Sequence, residues 1–180
     1  MAQFEMTALL EGRPQEITSE KERACYDCLD SLGIPYQRVE YNFFPSEMEH
    51  LLQIDRVLQV DGIKNLIFRN KSKTQFYFVI LPREQRFDEK AFRSKHGLPK
   101  ISMAKGEELQ ELLNTHSGAV SIMELVHDQQ GVIRLFIDEG VLSTPHFRFH
   151  PNENTSTVRI PMEDFKTKLI PYLNHEITIL

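Results

Sequence analysis

The chain has 180 residues, 41% of them hydrophobic and 26% charged, with a net charge of -5. That length suits one domain with a sizeable core, and the composition excludes a disordered or fibrous chain. The longest unbroken apolar or aromatic run, Phe76–Leu81, is six residues against the ~20 of a membrane span, and the N-terminus lacks the basic stretch and apolar core of a secretory signal, so a cytoplasmic protein with no membrane partner is expected.

Residues 1–17 read as an irregular or weakly helical arm. Thr18 or Ser19 can cap a helix to about Leu32, since Ser19 precedes Glu22 by three. Its apolar stripe carries Ala24, Cys25, Cys28, Leu29 and Leu32. Gly33 ends that helix, and residues 36–41 alternate as a strand. A second helix is predicted over roughly 46–58, opened by Pro45-Ser46. The strongest hairpin signal follows: strand 63–69, turn 70–74, strand 75–81, with the apolar continuity of strands buried on both faces.

Beyond Pro82 the pattern gives a helix at about 88–96, a short strand at 100–103 and a helix at 105–113. Residues 118–126 are ambiguous. Strands are expected at 132–138, 145–149 and 155–160. Pro161 then opens a last helix, with Glu163 and Asp164 in its first turn. The whole reads as an arm (1–17), one α/β domain (18–174) with a mixed central β-sheet surrounded by helices, and a tail (175–180).

Cys25 and Cys28 form a CxxC inside a helical pattern, not at a strand-to-helix turn, and read as core-facing thiols. The net negative charge hides an asymmetry. Residues 64–105 carry +8 and the rest -13, so a basic face including Arg69, Lys71 and Lys73 is available to meet phosphates. No phosphate-binding loop, dinucleotide fingerprint, zinc-protease helix or serine-hydrolase elbow occurs. His146 and His150 lie four apart in an extended, proline-flanked segment, a poor metal pair. Neither a metal nor an organic cofactor is expected.

Four segments carry a more specific signal: LGIPYQRVE (32–40), GIKNLIFRN (62–70), FYFVILPREQRFDEKAF (76–92) and FHPNENTSTVRI (149–160). In this order and spacing the chain resembles the YbaK/ProX family of aminoacyl-tRNA deacylases, in its free-standing prolyl-tRNA editing branch. The resemblance spans about residues 20–173.

It implies a YbaK/ProX-like fold and trans-editing of mischarged tRNA, Ala-tRNA(Pro) first. A synthetase pocket shaped for proline gives up only ~1–3 kcal/mol on admitting the smaller alanine, so a second, smaller pocket must remove the error. The implied partners are the acceptor end of mischarged tRNA and prolyl-tRNA synthetase. Lys64 matches the family's essential lysine, a cation for the carbonyl oxygen or the adjacent phosphate. By itself it reads as a strand-edge lysine that discourages aggregation.

Asn65 and His150 match assisting residues. Neighbouring strand residues face opposite ways, so Lys64 and Asn65 share a pocket only if the strand bulges there; otherwise Asn65 acts through backbone or supporting contacts. Asn154 and Thr155 match a following Asn-Thr and are expected to shape the substrate-pocket loop through side-chain-to-backbone bonds. Gly118 matches a pocket-loop glycine. Ile122 stands where the family has proline and Glu124 where it has glycine, leaving Ile122 to wall the pocket and placing amino-acid specificity in question. Two alternatives stay open: an adaptor that binds tRNA or synthetase with weak catalysis, and a deacylase for Cys-tRNA or Ser-tRNA.

Overall fold

The structure, a computed structural model, describes residues 3–17, 19–45, 47–153 and 155–180. Among these residues nine strands form two sheets. β1 (Leu10–Glu11), β2 (Gln37–Glu40), β7 (His146–Phe149) and β8 (Ser156–Pro161) make an antiparallel sheet in the order β1-β2-β8-β7. β3 (Ile63–Asn70), β4 (Phe76–Pro82), β5 (Ile101–Met103), β6 (Ile133–Ile137) and β9 (Ile177–Ile179) make a mixed sheet in the order β5-β3-β4-β6-β9.

The mixed sheet is the one the hairpin signal predicts. β4 sits at its centre, antiparallel to β3 and parallel to β6. Its six apolar residues divide by the two-residue period. Phe76, Phe78 and Ile80 enter the main core; Tyr77, Val79 and Leu81 enter a second cluster under α3 (Glu89–His96), where Phe92 meets them.

The second sheet was not legible as a separate layer. The first seventeen residues, expected to be irregular or weakly helical, contribute β1 and an isolated bridge between Met6 and Tyr41. At the other end, β9 lies in the tail read from the sequence and pairs parallel with β6. Both segments are short and take their conformation from long-range pairing, which local propensity does not encode.

Helix α1 (Glu20–Ser31) starts where Ser19 Oγ accepts the Glu22 N–H at 3.4 Å. Thr18, the other candidate cap, lies outside the described residues, as does Ser46. Cys25 and Cys28 are buried free thiols, and burial raises the pKa of both. Helix α2 (Met48–Leu58) packs Ile54 and Leu58 against Val39, Tyr41 and Val60 on the outer face of the small sheet. The inner face, with Phe147, Phe149, Val158 and Ile160, enters the main core. α2 is thus the lid of a narrow space between the small sheet and the start of β3.

Helix α4 (Gly106–Leu113) follows β5 as predicted. The ambiguous stretch resolves as a 3-10 helix, Ile122–His127, capped by Ser121. The last helix opens at Met162, but its middle turn, Phe165–Leu169, is a π-helix.

Candidate active site

β3 is a regular strand. Its pairing with β4 runs in unbroken register from Ile63 opposite Pro82 to Arg69 opposite Phe76, with no bulge. Lys64 and Asn65 therefore point to opposite faces. Asn65 shares its face with Ile63 and Ile67, toward the main core. Lys64 shares its face with Leu66 and Phe68, toward the second cluster.

Asn65 lines a cavity of about 110 Å³ with Tyr41, Gly62, Arg83, Arg148, His150 and Thr157. At ~30 Å³ per water, that is room for three or four waters. Its floor comes from β7 and β8. Arg148 and His150 are two apart and so project to one side, and Thr157 holds the Tyr41 hydroxyl at 3.0 Å. Lys64 is half-buried and is not among the residues lining this cavity.

Two of the residues lining the cavity keep an acceptor with no partner among the described residues. Asn65 Nδ2 donates to Val120 O at 2.8 Å, which fixes the amide's orientation, and its buried Oδ1 has no partner among the described residues. His150 Nδ1 lies 3.1 Å from Ser156 O. A carbonyl only accepts, so that nitrogen carries the proton and Nε2 keeps its lone pair. Burial lowers the His150 pKa to about 4, so the ring is neutral at pH 7.

Beside these acceptors stand two cations. Asp55, on α2, binds Arg83 through Oδ2 and Arg148 through Oδ1, and its Oδ2 also accepts the Gly62 N–H at 3.2 Å. Arg148 Nη1 donates to Val60 O at 3.1 Å as well. A Cβ on Gly62 would stand 1.9 Å from Arg83 Nη2, so any larger residue there would push the guanidinium from its present place. Burial lowers the Arg148 pKa to about 10, and the guanidinium stays charged.

The loop before the 3-10 helix is tied to this floor. Ser121 Oγ donates to His150 O at 2.6 Å, and Ser121 N–H donates to Glu124 Oε2 at 3.0 Å. Glu124 is buried and does not face the cavity; burial raises its pKa to about 7. Ile122 packs in the main core at 1% exposure and is not among the residues lining this cavity. A 3-10 turn of mostly buried residues drew the branched side chain inward.

Gly118, at φ +88°, lies on a neighbouring open groove of about 380 Å³ with Phe44, His116, Asn152 and Thr155. Asn154 lies outside the described residues. The expected tRNA-facing residues sit at the far end of the hairpin, roughly 17 Å along β3 from Lys64. There Arg69 and Lys73 pair with Glu108 at 2.9 Å, whose carboxyl the Lys105 N–H and these two cations hold at about 2, while Lys71 is exposed. A larger groove of about 700 Å³ opens there too, lined by Lys73, Glu108 and His127, away from Asn65 and His150.

Residues 46–168, more than half of the chain, match the family described as aminoacyl-tRNA editing domain. The chain belongs to that family. An editing domain of this family is an aminoacyl-tRNA deacylase, an ester hydrolase. The chain is similar to the prolyl-tRNA editing protein ProX of Acetoanaerobium sticklandii, with 31% identity over 140 residues, 77% of this chain and 84% of that one.

Among solved structures it shares its fold with a putative trans-editing enzyme for prolyl tRNA synthetase, at 16% identity and a TM-score of 0.63, covering 91% of this chain and 98% of that one. A scaffold used for computational epitope grafting gives 13% identity and the same TM-score, covering 91% and 97%. Among the described residues no helix is long and apolar enough to cross a membrane. Sequence reasoning named Asn65 and His150 but missed Asp55, Arg83 and Arg148; nothing local marks a buried Arg–Asp–Arg cluster drawn from three separate elements.

Proposed function

We propose that the chain hydrolyses Ala-tRNA(Pro), clearing alanine that prolyl-tRNA synthetase has wrongly attached, and that it acts in trans. The observation that carries this reading is the pairing of free acceptors with cations in one small cavity. An aminoacyl ester brings an ammonium group, which donates, and a carbonyl, which accepts. Asn65 Oδ1 and His150 Nε2 suit the first, and the guanidinium side suits the second.

Cavity size supplies selection. Space for three or four waters admits the alanyl group and resists the bulkier prolyl ring, the second step of a double sieve. In the groove at Gly118 and Thr155, half-exposed Phe44, next in sequence to the cavity-lining Pro45, offers a face for the terminal adenine. Ile122, packed behind that loop, shapes the groove only by holding the backbone.

Lys64, on the other face of β3, serves the phosphate of the 3′ end. It has no hydrogen bond or ion pair among the described residues, and a mobile point charge suits a phosphate. Arg69, Lys71 and Lys73 extend the basic track along the hairpin.

The test is a panel of esters at enzyme excess: Ala-tRNA(Pro), Cys-tRNA, Ser-tRNA and Pro-tRNA(Pro). The reading expects alanine to be released fastest. Faster loss of the cysteinyl or seryl ester would replace the substrate, and no turnover on any ester would favour a tRNA-binding adaptor.

A further inference from the structure

In the Arg83–Asp55–Arg148 cluster one enclosed carboxylate faces two guanidiniums, and Arg83 has a looser ion pair with exposed Glu84. Asp55 is a single carboxylate, and its two oxygens are already taken by two guanidiniums and the Gly62 N–H. The side chains of Arg148, Asp55 and Arg83 are 8%, 12% and 15% exposed. Two other carboxylates act on these arginines, Glu84 on Arg83 and Asp61 on Arg148, and both are on the exposed surface. Glu84 stands 3.7 Å from Arg83 Nε, beyond hydrogen-bond reach, and that buried nitrogen has no partner.

Arg148, for its part, spends its hydrogen bonds among the described residues through Nη1 alone. Removing a cation from water is costly unless a partner compensates it, and Arg148 lines the cavity with its Nε and Nη2 unbonded among the described residues, so an anionic ligand there would offset that cost.

We propose that this cluster is an oxyanion and carboxylate subsite, with Arg148 contacting the ligand and Arg83 and Asp55 holding it in place. This rests on the deacylase reading above. The step balances without any further reactant. A water oxygen bonds to the ester carbon, and the carbonyl electron pair moves onto its oxygen, which becomes negative opposite Arg148. The carbonyl re-forms as the bond to the ribose oxygen breaks. That oxygen takes up a proton, the freed acid gives one to solvent, and the amino acid leaves as a carboxylate. The site that holds the transient oxyanion also fits this carboxylate, so the free amino acid competes with the charged tRNA. Asn65 Oδ1 and His150 Nε2 take the ammonium group in both complexes.

The experiment has two arms. In the first, L-alanine and L-alaninamide are titrated against the protein while the arginine side-chain N–H signals are followed by NMR. Both ligands carry the ammonium group and only the first carries a carboxylate. L-Alanine is expected to shift the Arg148 signal saturably, and alaninamide, whose carbonyl carries no net charge, to need at least ten-fold more ligand for the same shift. Equal shifts from both, or none from either, overturn the subsite.

In the second arm, Arg148→Gln is expected to lower the single-turnover rate on Ala-tRNA(Pro) by about 100-fold or more, as for loss of one oxyanion donor, with KM within a few-fold. A rate within three-fold of wild type overturns the assignment. If the glutamine variant does not fold, Arg148→Lys keeps the charge against Asp55 and loses the planar fork. It is expected to lose at least ten-fold, and wild-type behaviour contradicts the proposal. Wild-type protein that binds L-alanine through Arg148 yet leaves every ester intact sinks the deacylase reading and retains the subsite; turnover that ignores Arg148 does the reverse.

Discussion

Asn65, which lines the cavity, holds the Val120 carbonyl at 2.8 Å through Nδ2 and leaves its Oδ1 buried with no partner among the described residues. One amide therefore joins the 118–124 loop to β3 and presents an acceptor to the substrate. Asn65→Ala is expected to destabilise the fold by about 1 kcal/mol, the net worth of the lost bond. The same change should cut kcat/KM on Ala-tRNA(Pro) by at least ten-fold. Chemical denaturation and single-turnover kinetics on one preparation check both, and unaltered kinetics would remove Asn65 from the site.

Asp55 supports two buried guanidiniums, and its loss leaves both unpaired. Asp55→Ala should cost about 3–5 kcal/mol, the usual penalty for stripping one partner from a buried ion cluster. Thermal melting tests this, and a loss below 1 kcal/mol would mean that solvent already compensates the arginines.

Glu124 and His150 make opposite pH contributions to stability. The Glu124 pKa is raised from 4.5 to about 7, so the folded chain holds a proton that the unfolded chain releases, and stability falls as pH rises from about 4.5 to 7. The His150 pKa is lowered from 6.5 to about 4, so the unfolded chain binds a proton that the folded chain refuses, and stability falls as pH drops from about 6.5 to 4. Glu124→Gln, which keeps an acceptor for Ser121, should raise the melting temperature at pH 8 and unmask the His150 slope below pH 6.5. Melting temperatures at pH 5 and pH 8 decide it; a variant no more stable than wild type at pH 8 would contradict the burial argument.

Lys64 faces away from the cavity, so its substitution should act through the tRNA and leave the fold intact. Lys64→Ala is expected to melt within about 0.5 kcal/mol of wild type, as for a surface change, while deacylation at low substrate falls by about 100-fold. The defect should shrink as tRNA concentration rises, and tRNA affinity should fall with salt less steeply than in wild type, by about one unit of slope. A variant as active as wild type would take Lys64 out of the reaction.

Helices and the hairpin were legible because their signals are local. Ser19 before Glu22, Asp88 before α3 and the six apolar residues of β4 each specify an element within a few residues. β1 and β9 were not legible, since two or three residues become strands only through partners far along the chain, Arg38 for Leu10 and Leu135 for Ile177. The site divided in the same way. Family motifs pointed to Lys64, Asn65 and His150; strand alternation allowed Lys64 and Asn65 to share a pocket only across a bulge, and the unbroken register of β3 leaves them on opposite faces. Ile122 reads as a pocket wall because it stands where the family has a loop proline, whereas the 3-10 turn buries it. Arg148 was passed over because a charged residue in a strand usually faces water, and only the closure of α2 over the small sheet encloses it.

The most direct measurement compares Ala-tRNA(Pro) with Pro-tRNA(Pro), each incubated with an excess of the wild-type protein, and follows ester loss against buffer. The small cavity of Asn65, His150 and Arg148 predicts rapid loss of the alanyl ester and persistence of the prolyl one. Equal loss of the two esters, or loss of neither beyond the buffer rate, would contradict it.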